Sequence, residues 1–284
     1  MASRPSPTVP KRQVGQALAA HRDAAGKSRE DAADALECSV SKIGRIEHGQ
    51  VSPSASDLRA LLDLYGVADQ QRHEIEDLAR DARKRRPRTT YGKAIPNWFR
   101  RYVALEEAAT EIRTYDEGLI TGLLQTEDYA RTLTTSSPLH NPADIEQIVK
   151  ARTARQARLL NSNPPDLWAV MSEAAVRLVV GGPHVMRAQL GHLIELSSMP
   201  NVTVQIAPFD AGAHAATGFA FTLLSFPDSG VDVVYLEDLT SASYLDKAND
   251  PQRQRYSMVW RHLTAAALSP NDSIRLVDTL RREL

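Results

Sequence analysis

Two serines eleven residues apart, Ser28 and Ser39, constrain this chain more than any other feature, because each is placed to start a short helix. A serine ahead of a helix accepts a hydrogen bond from a backbone N–H of the first turn and so satisfies one of its orphan donors. Ser28 is followed three residues later by Asp31, close to a reciprocal capping box, and Ala32, Ala33 and Leu36 then share one face. Ser39 opens a second segment that buries Ile43 and Ile46 at a three-residue spacing. The opposite face of that segment carries Ser41, Lys42 and Arg45, all able to hydrogen-bond to phosphates or base edges. Two capped helices joined by a tight turn, with polar donors on the second, form a helix-turn-helix.

The flanks are consistent with a five-helix bundle. Val14, Ala17, Leu18 and His21 make a helical stripe that Gly26 ends; Gly49 and Pro53 close the second helix of the motif. Ser54 or Ser56 can cap a fourth helix carrying Leu58, Leu61, Leu62 and Tyr65, and a fifth spans 69–82 with Ile75, Leu78 and Ala79 inward. A lone exposed Lys42 or Arg45 would signify only a solvated face, and the bundle alone could be an interaction module without DNA affinity. The coincidence of caps, core positions and turn breaks favours DNA binding.

Residues 14–66 resemble the Xre-type, lambda repressor-like DNA-binding domain. The resemblance implies a recognition helix over 39–47, with Val40, Ser41 and Arg45 at base-facing positions and Ser39 and Lys42 at phosphate-contacting ones. It also places Arg29 against the DNA backbone and pairs Arg22 with Glu47 in an internal salt bridge. Two departures stand out. Glu37 occupies the turn position where glycine is expected, and Gly44 interrupts the recognition helix at a cost of about 1 kcal/mol against alanine.

At 284 residues the chain favours two domains. No apolar run approaches a membrane span, and the N-terminal MASRPSPTVPKR lacks the apolar region of a secretory signal. With a single cysteine, Cys38, there is no intramolecular disulfide, and a cytoplasmic location is expected. Residues 1–90 carry 16 Lys and Arg against 13 Asp and Glu, while the remainder carries 18 against 22. The basic excess therefore falls on the half with the motif, as phosphate neutralisation requires. The expected organisation is a flexible arm over 1–12, a helix-turn-helix domain over 13–86, a linker over 87–96 and a second domain over 97–284. The run Arg83, Lys84, Arg85, Arg86 and Arg88 reads either as a solvated linker or as a grip on the DNA backbone.

The second domain alternates helix and strand. Asn97 is expected to cap a helix with Trp98, Tyr102 and Leu105; a strand covers 112–115 and a new helix starts at Thr126. Residues 142–161 read as one long amphipathic helix with Arg152, Arg155 and Arg158 on its other faces. Strands are expected at 167–171, 201–208, 219–226 and 231–237, the last two joined as a hairpin through Pro227, Asp228, Ser229 and Gly230. Helices at 184–198, 251–268 and 271–284 complete an α+β domain with a small mixed sheet. The fold class is thus mainly α, an N-terminal five-helix bundle followed by an α+β domain.

Four segments, GLLQTEDYAR (122–131), GGPHVMRAQLGHLIEL (181–196), 201–226 and VVYLEDL (233–239), resemble the C-terminal domain of actinobacterial regulators of the WhiJ-like type. Thr121 stands where that resemblance would place proline. The resemblance implies a transcriptional regulator; a homodimer on a double-stranded DNA operator is expected because one recognition helix covers only a few base pairs. Its activity would be set by a small protein encoded nearby, in a toxin–antitoxin-like couple, or by a ligand.

Enzyme signatures are sparse. His184 and His192 lie too far apart for a helical zinc pair, Gly181-Gly182 lacks the lysine of a phosphate loop, and there is no GxSxG elbow. No enzyme, cofactor or metal is therefore expected. His214 with Asp210 and Glu173 carries the alternative of an enzyme fused to a DNA-binding domain; a pure oligomerisation module is the third reading. Trp98, Tyr115, Phe209 and His214 are the candidates for ligand or partner contact, although aromatics at strand and helix spacing are core residues first.

Overall fold

The computed structural model describes residues 8–83, 95–226, 232–246 and 250–284, which fall into two compact units, 1–87 and 88–284. The first is all helical: α1 (Thr8–Ala24), α2 (Arg29–Ala35), α3 (Val40–Glu47), α4 (Ala55–Leu64) and α5 (Asp69–Arg83). Helix α1 begins inside the expected arm and Arg12 is buried, so the arm does not extend to residue 12. The caps are local and form as the side chains dictate. Ser28 and Asp31 complete a capping box on α2, Ser39 Oγ accepts from Lys42 N on α3, and Ser54 Oγ accepts from Asp57 N on α4. Val14, Leu18, Ala32, Ala33, Ile43, Ile46, Leu58, Leu61 and Leu62 form one core, against which half-buried Cys38 packs. Beyond Arg83, the basic run and the linker up to residue 94 lie outside the described residues.

The second unit is built on a six-stranded mixed sheet. Its strands are β1 (Glu111–Asp116), β2 (Asp166–Ser172), β3 (Val202–Ala207), β4 (Phe221–Ser225), β5 (Val233–Glu237) and β6 (Ala242–Leu245), in the order β3-β2-β1-β4-β5-β6. β1, β2 and β3 pair in parallel, and β4, β5 and β6 extend the sheet antiparallel from β1. Strand β6 was not expected from the sequence, where ASYL is short and half exposed. The proposed hairpin turn at 227–230 lies outside the described residues.

Helices α6 (Asn97–Glu106), α7 (Glu127–Ser136), α8 (Ile145–Gln156), α9 (Glu173–Arg177), α10 (Gly182–Leu196), α11 (Pro251–Ala266) and α12 (Pro270–Glu283) surround this sheet. Pro96, not Asn97, occupies the N-cap of α6, without a side-chain cap. The expected helix over 142–161 is shorter: 3-10 turns at Pro142–Asp144 and Ala157–Leu160 flank α8.

Strand alternation sends Tyr115, Val170, Phe221, Leu223 and Val234 to one face, where Trp260 and Leu263 of α11 close a second core. The same alternation sends Thr114, Asp116, Thr222, Tyr235 and Glu237 to the other face, in register across β1, β4 and β5. Ile112, Leu224 and Val233 share this second face, which is polar over the end carrying Asp116 and Glu237 and is partly enclosed there.

Candidate functional site

Helix α3 divides its residues sharply. Ile43, Ile46 and Glu47 are buried, whereas Ser39, Val40, Ser41, Arg45 and His48 are exposed along the other side. The frame behind it is ionic. Arg22 Nε donates to Glu47 Oε1 at 2.6 Å, and Arg29 Nε donates to Glu47 Oε2 at 2.7 Å. Arg22 also donates to Asp23 and to the Lys27 carbonyl, so its guanidinium is held from three sides and its pKa rises, chiefly through the Glu47 hydrogen bond. The Tyr65 hydroxyl is pushed up to about 12 by burial and by the nearby Glu47 charge.

Lys42 Nζ donates to Asp57 Oδ2 at 3.0 Å, joining α3 to the first turn of α4. Lys42's pKa rises because of that bond. Burial works to raise the Asp57 carboxyl, but its hydrogen bonds from Lys42 and Ser54 prevail and hold it low. An ammonium has three donors and a guanidinium five, so Lys42 and Arg29 keep N–H groups beyond those given to Asp57 and Glu47. The side chains of Lys42 and Arg29 remain 34% and 43% exposed.

Two glycines that the sequence did not single out for packing set the approach of the helices. A Cβ on Gly15 of α1 would lie 2.5 Å from the carbonyl oxygens of Ile46 and Glu47. At Gly49, with φ +65°, it would lie 2.8 Å from Arg12 Cα. Gly44 is different, because a Cβ there would meet nothing within 4 Å.

In the second unit, a cavity of about 300 Å³ lies against the polar sheet face. Thr114, Asp116, Thr222, Tyr235 and Glu237 form its floor, with Phe99 and Tyr102 of α6, Gln125, and Arg152 and Arg155 of α8 around it. Arg155 makes a two-pronged pair with buried Glu106, at 2.7 and 2.6 Å, and the pair lies beside the rings of Phe99 and Tyr102. Asp116 Oδ2 accepts from Thr121 Oγ1 at 2.6 Å and Thr114 Oγ1 at 3.2 Å. Burial pushes the Asp116 carboxyl up to about 6 against those two hydrogen bonds. Tyr235 donates to Glu237 Oε2 at 2.6 Å, and its phenol pKa is raised by burial and by that carboxylate.

Residues 99–279 match the family model of the domain of unknown function DUF5753, and residues 13–75 match a helix-turn-helix domain model. The chain belongs to the DUF5753 family. No curated protein and no solved structure matches it. This DUF5753 chain thus joins its family domain to a helix-turn-helix, a module that binds DNA.

The ligand candidates named from the sequence scatter over the DUF5753 unit. Tyr115 is buried in the core on the sheet face opposite the cavity, with its hydroxyl 3.4 Å from His214 Nε2 and the two rings edge-on. Trp98 is half-buried and packs edge-on against Phe99, while Phe209 is 58% exposed. Glu173 is occupied: its oxygens accept from Arg177 Nε and from the Phe209 backbone N–H. His214 Nδ1 accepts from Ala216 N, and no hydrogen bond among the described residues joins it to Glu173 or Asp210.

Sequence reasoning missed Asp116, Glu106, Gln125 and the role of the arginines of α8 and of the 3-10 turn after it. Arg152, Arg155 and Arg158 were read only as lying on the other faces of an amphipathic helix. Instead they reach inward, to Gln125, Glu106 and the Ala109 carbonyl respectively. Their strict three-residue spacing was the available signal.

Proposed function

We propose that this chain is a sequence-specific transcription regulator of the Xre type, organised like the WhiJ-like actinobacterial regulators and acting in the cytoplasm. It reads a double-stranded operator as a homodimer, with Val40, Ser41 and Arg45 toward base edges and Ser39, Lys42 and Arg29 toward phosphates. The observation that carries this reading is the division of α3 into a buried face and an exposed face bearing Arg45. The free N–H groups of Lys42 and Arg29 are compatible with their phosphate role.

The second unit is the regulatory half and not an enzyme; the engagement of Glu173 away from His214 supports that. A small protein partner encoded nearby would find exposed Phe209 and Phe219 on its surface. Arg45→Ala should weaken specific operator binding by about 1–3 kcal/mol if Arg45 forks onto a guanine, and gel-shift titration against operator and random duplex measures it. Unchanged discrimination in that variant overturns the assignment of α3 as the reading helix.

A further inference from the structure

The cavity over the polar sheet face is an odd place to find charge. Arg152 is mostly buried, and burial together with neighbouring Arg155 depresses its pKa against the attraction of Glu237, which lines the same cavity. Its hydrogen bond is to a neutral group, Gln125 Oε1 at 3.1 Å, and among the described residues no carboxylate lies within ion-pair distance of it. Arg155 beside it is already neutralised by Glu106. A cation held in this way against a cavity, with N–H donors left over, is a standing site for an anionic group.

At another wall of the same space, Asp116 offers its remaining oxygen. Both threonine hydroxyls bind Oδ2, so Oδ1 is left as a further acceptor on a residue that lines the cavity. The polar groups are separated by rings: Phe99 and Tyr102 lie stacked, with centroids 5.1 Å apart, and Tyr102 lies 4.2 Å from Tyr235. A volume of about 300 Å³ is at the lower end of small-molecule sites and is lined by the usual mix of aromatic walls and a few convergent polar groups.

We propose that this cavity binds a small planar organic anion, its carboxylate or phosphate on Arg152, its ring among Phe99, Tyr102 and Tyr235, and an O–H or N–H of the ring donated to Asp116. The proposal rests on reading the second unit as the regulatory half only for its meaning, because ligand binding is measured without DNA.

Calorimetric titration of the full chain with 6-hydroxy-2-naphthoate and with 2-naphthyl phosphate tests it, the tighter of the two naming the anion. Saturable one-site binding of at least one anion is expected, weakened about tenfold or more in Arg152→Gln and about tenfold or more when the probe is 6-hydroxy-2-naphthamide, which lacks the charge. Plain 2-naphthoate should bind several-fold more weakly than its hydroxy derivative. Gly122→Leu guards against misfolding of Arg152→Gln. Gly122 lines the cavity and a Cβ there meets nothing within 4 Å, so the variant should fold and block binding. The proposal is overturned if neither anion saturates at millimolar concentration, if the amide binds as tightly as the acid, or if folded Arg152→Gln or Gly122→Leu binds like the parent chain. A chain that binds the anion but no operator would refute the regulator reading and leave this site standing.

Discussion

Glu37 takes a φ of +48° in the turn between α2 and α3, the one described non-glycine residue with positive φ. An L side chain in that region costs roughly 1–2 kcal/mol, part of which glycine would return as greater freedom of the unfolded chain. Glu37→Gly should therefore raise stability by about 1 kcal/mol, read from denaturant unfolding of the full chain. An unchanged or lower midpoint would show that the Glu37 side chain compensates locally. Asp116 gives the second residue-scale prediction. Its folded pKa, about 6, lies above the ordinary 3.8, so its stabilising contribution is complete below 3.8 and is lost as pH rises through 6. The full shift corresponds to no more than about 3 kcal/mol, and the partial exposure of the carboxyl reduces it. Asp116→Asn should flatten the fall in stability across that window, measured by thermal unfolding at stepped pH. The three serine caps were legible in the sequence because a cap is decided within four residues. Asp116 was not, because its partners Thr114 and Thr121 matter only once the chain turns after β1. Thr121 was read only as a departure from an expected proline, yet its hydroxyl makes the shorter of the two bonds to that carboxylate.

Among the elements, α1 and α3 approach closely enough to leave no room for a methyl group at Gly15. The obstructing atoms are all backbone carbonyl atoms of Ile46 and Glu47, which cannot rotate away, so Gly15→Ala should cost about 3 kcal/mol or more. Gly44→Ala is the matched control, adding its Cβ to open space and gaining about 1 kcal/mol of helix propensity. Thermal midpoints of the two variants should move in opposite directions; a stable Gly15→Ala would contradict the close packing. Periodicity found α1 and α3 but could not register one against the other, since close approach depends on crossing geometry. Helix α8 failed for a related reason. Arginine on a helix normally marks the solvent side, and only the buried Glu106, almost fifty residues earlier, turns that side inward.

For the whole molecule, the two units match different family models, and no described helix is long and apolar enough to cross a membrane. The fold class was legible because the α-helical and strand periods change between the two halves. The charge argument was coarser. Residues 1–82 carry 11 Lys and Arg against 13 Asp and Glu, so the basic excess of the first half resides in the run at 83–88 and not in the bundle. Homodimerisation is the prediction at this scale, since one recognition helix covers too few base pairs for useful specificity. Sedimentation of the full chain with operator duplex should give two chains per duplex, and footprints should show paired half-sites about one DNA turn apart. A single chain on a single half-site would refute it.

Glu47 ties α3 to Arg22 and Arg29 from its buried end, and none of these bonds involves Val40, Ser41 or Arg45. The lettering of the helix is thereby separable from its mounting. Under the function proposed above, exchange of those three residues would change the operator and leave the clamp intact, so DNA preference would be free to diverge faster than the bundle that presents it.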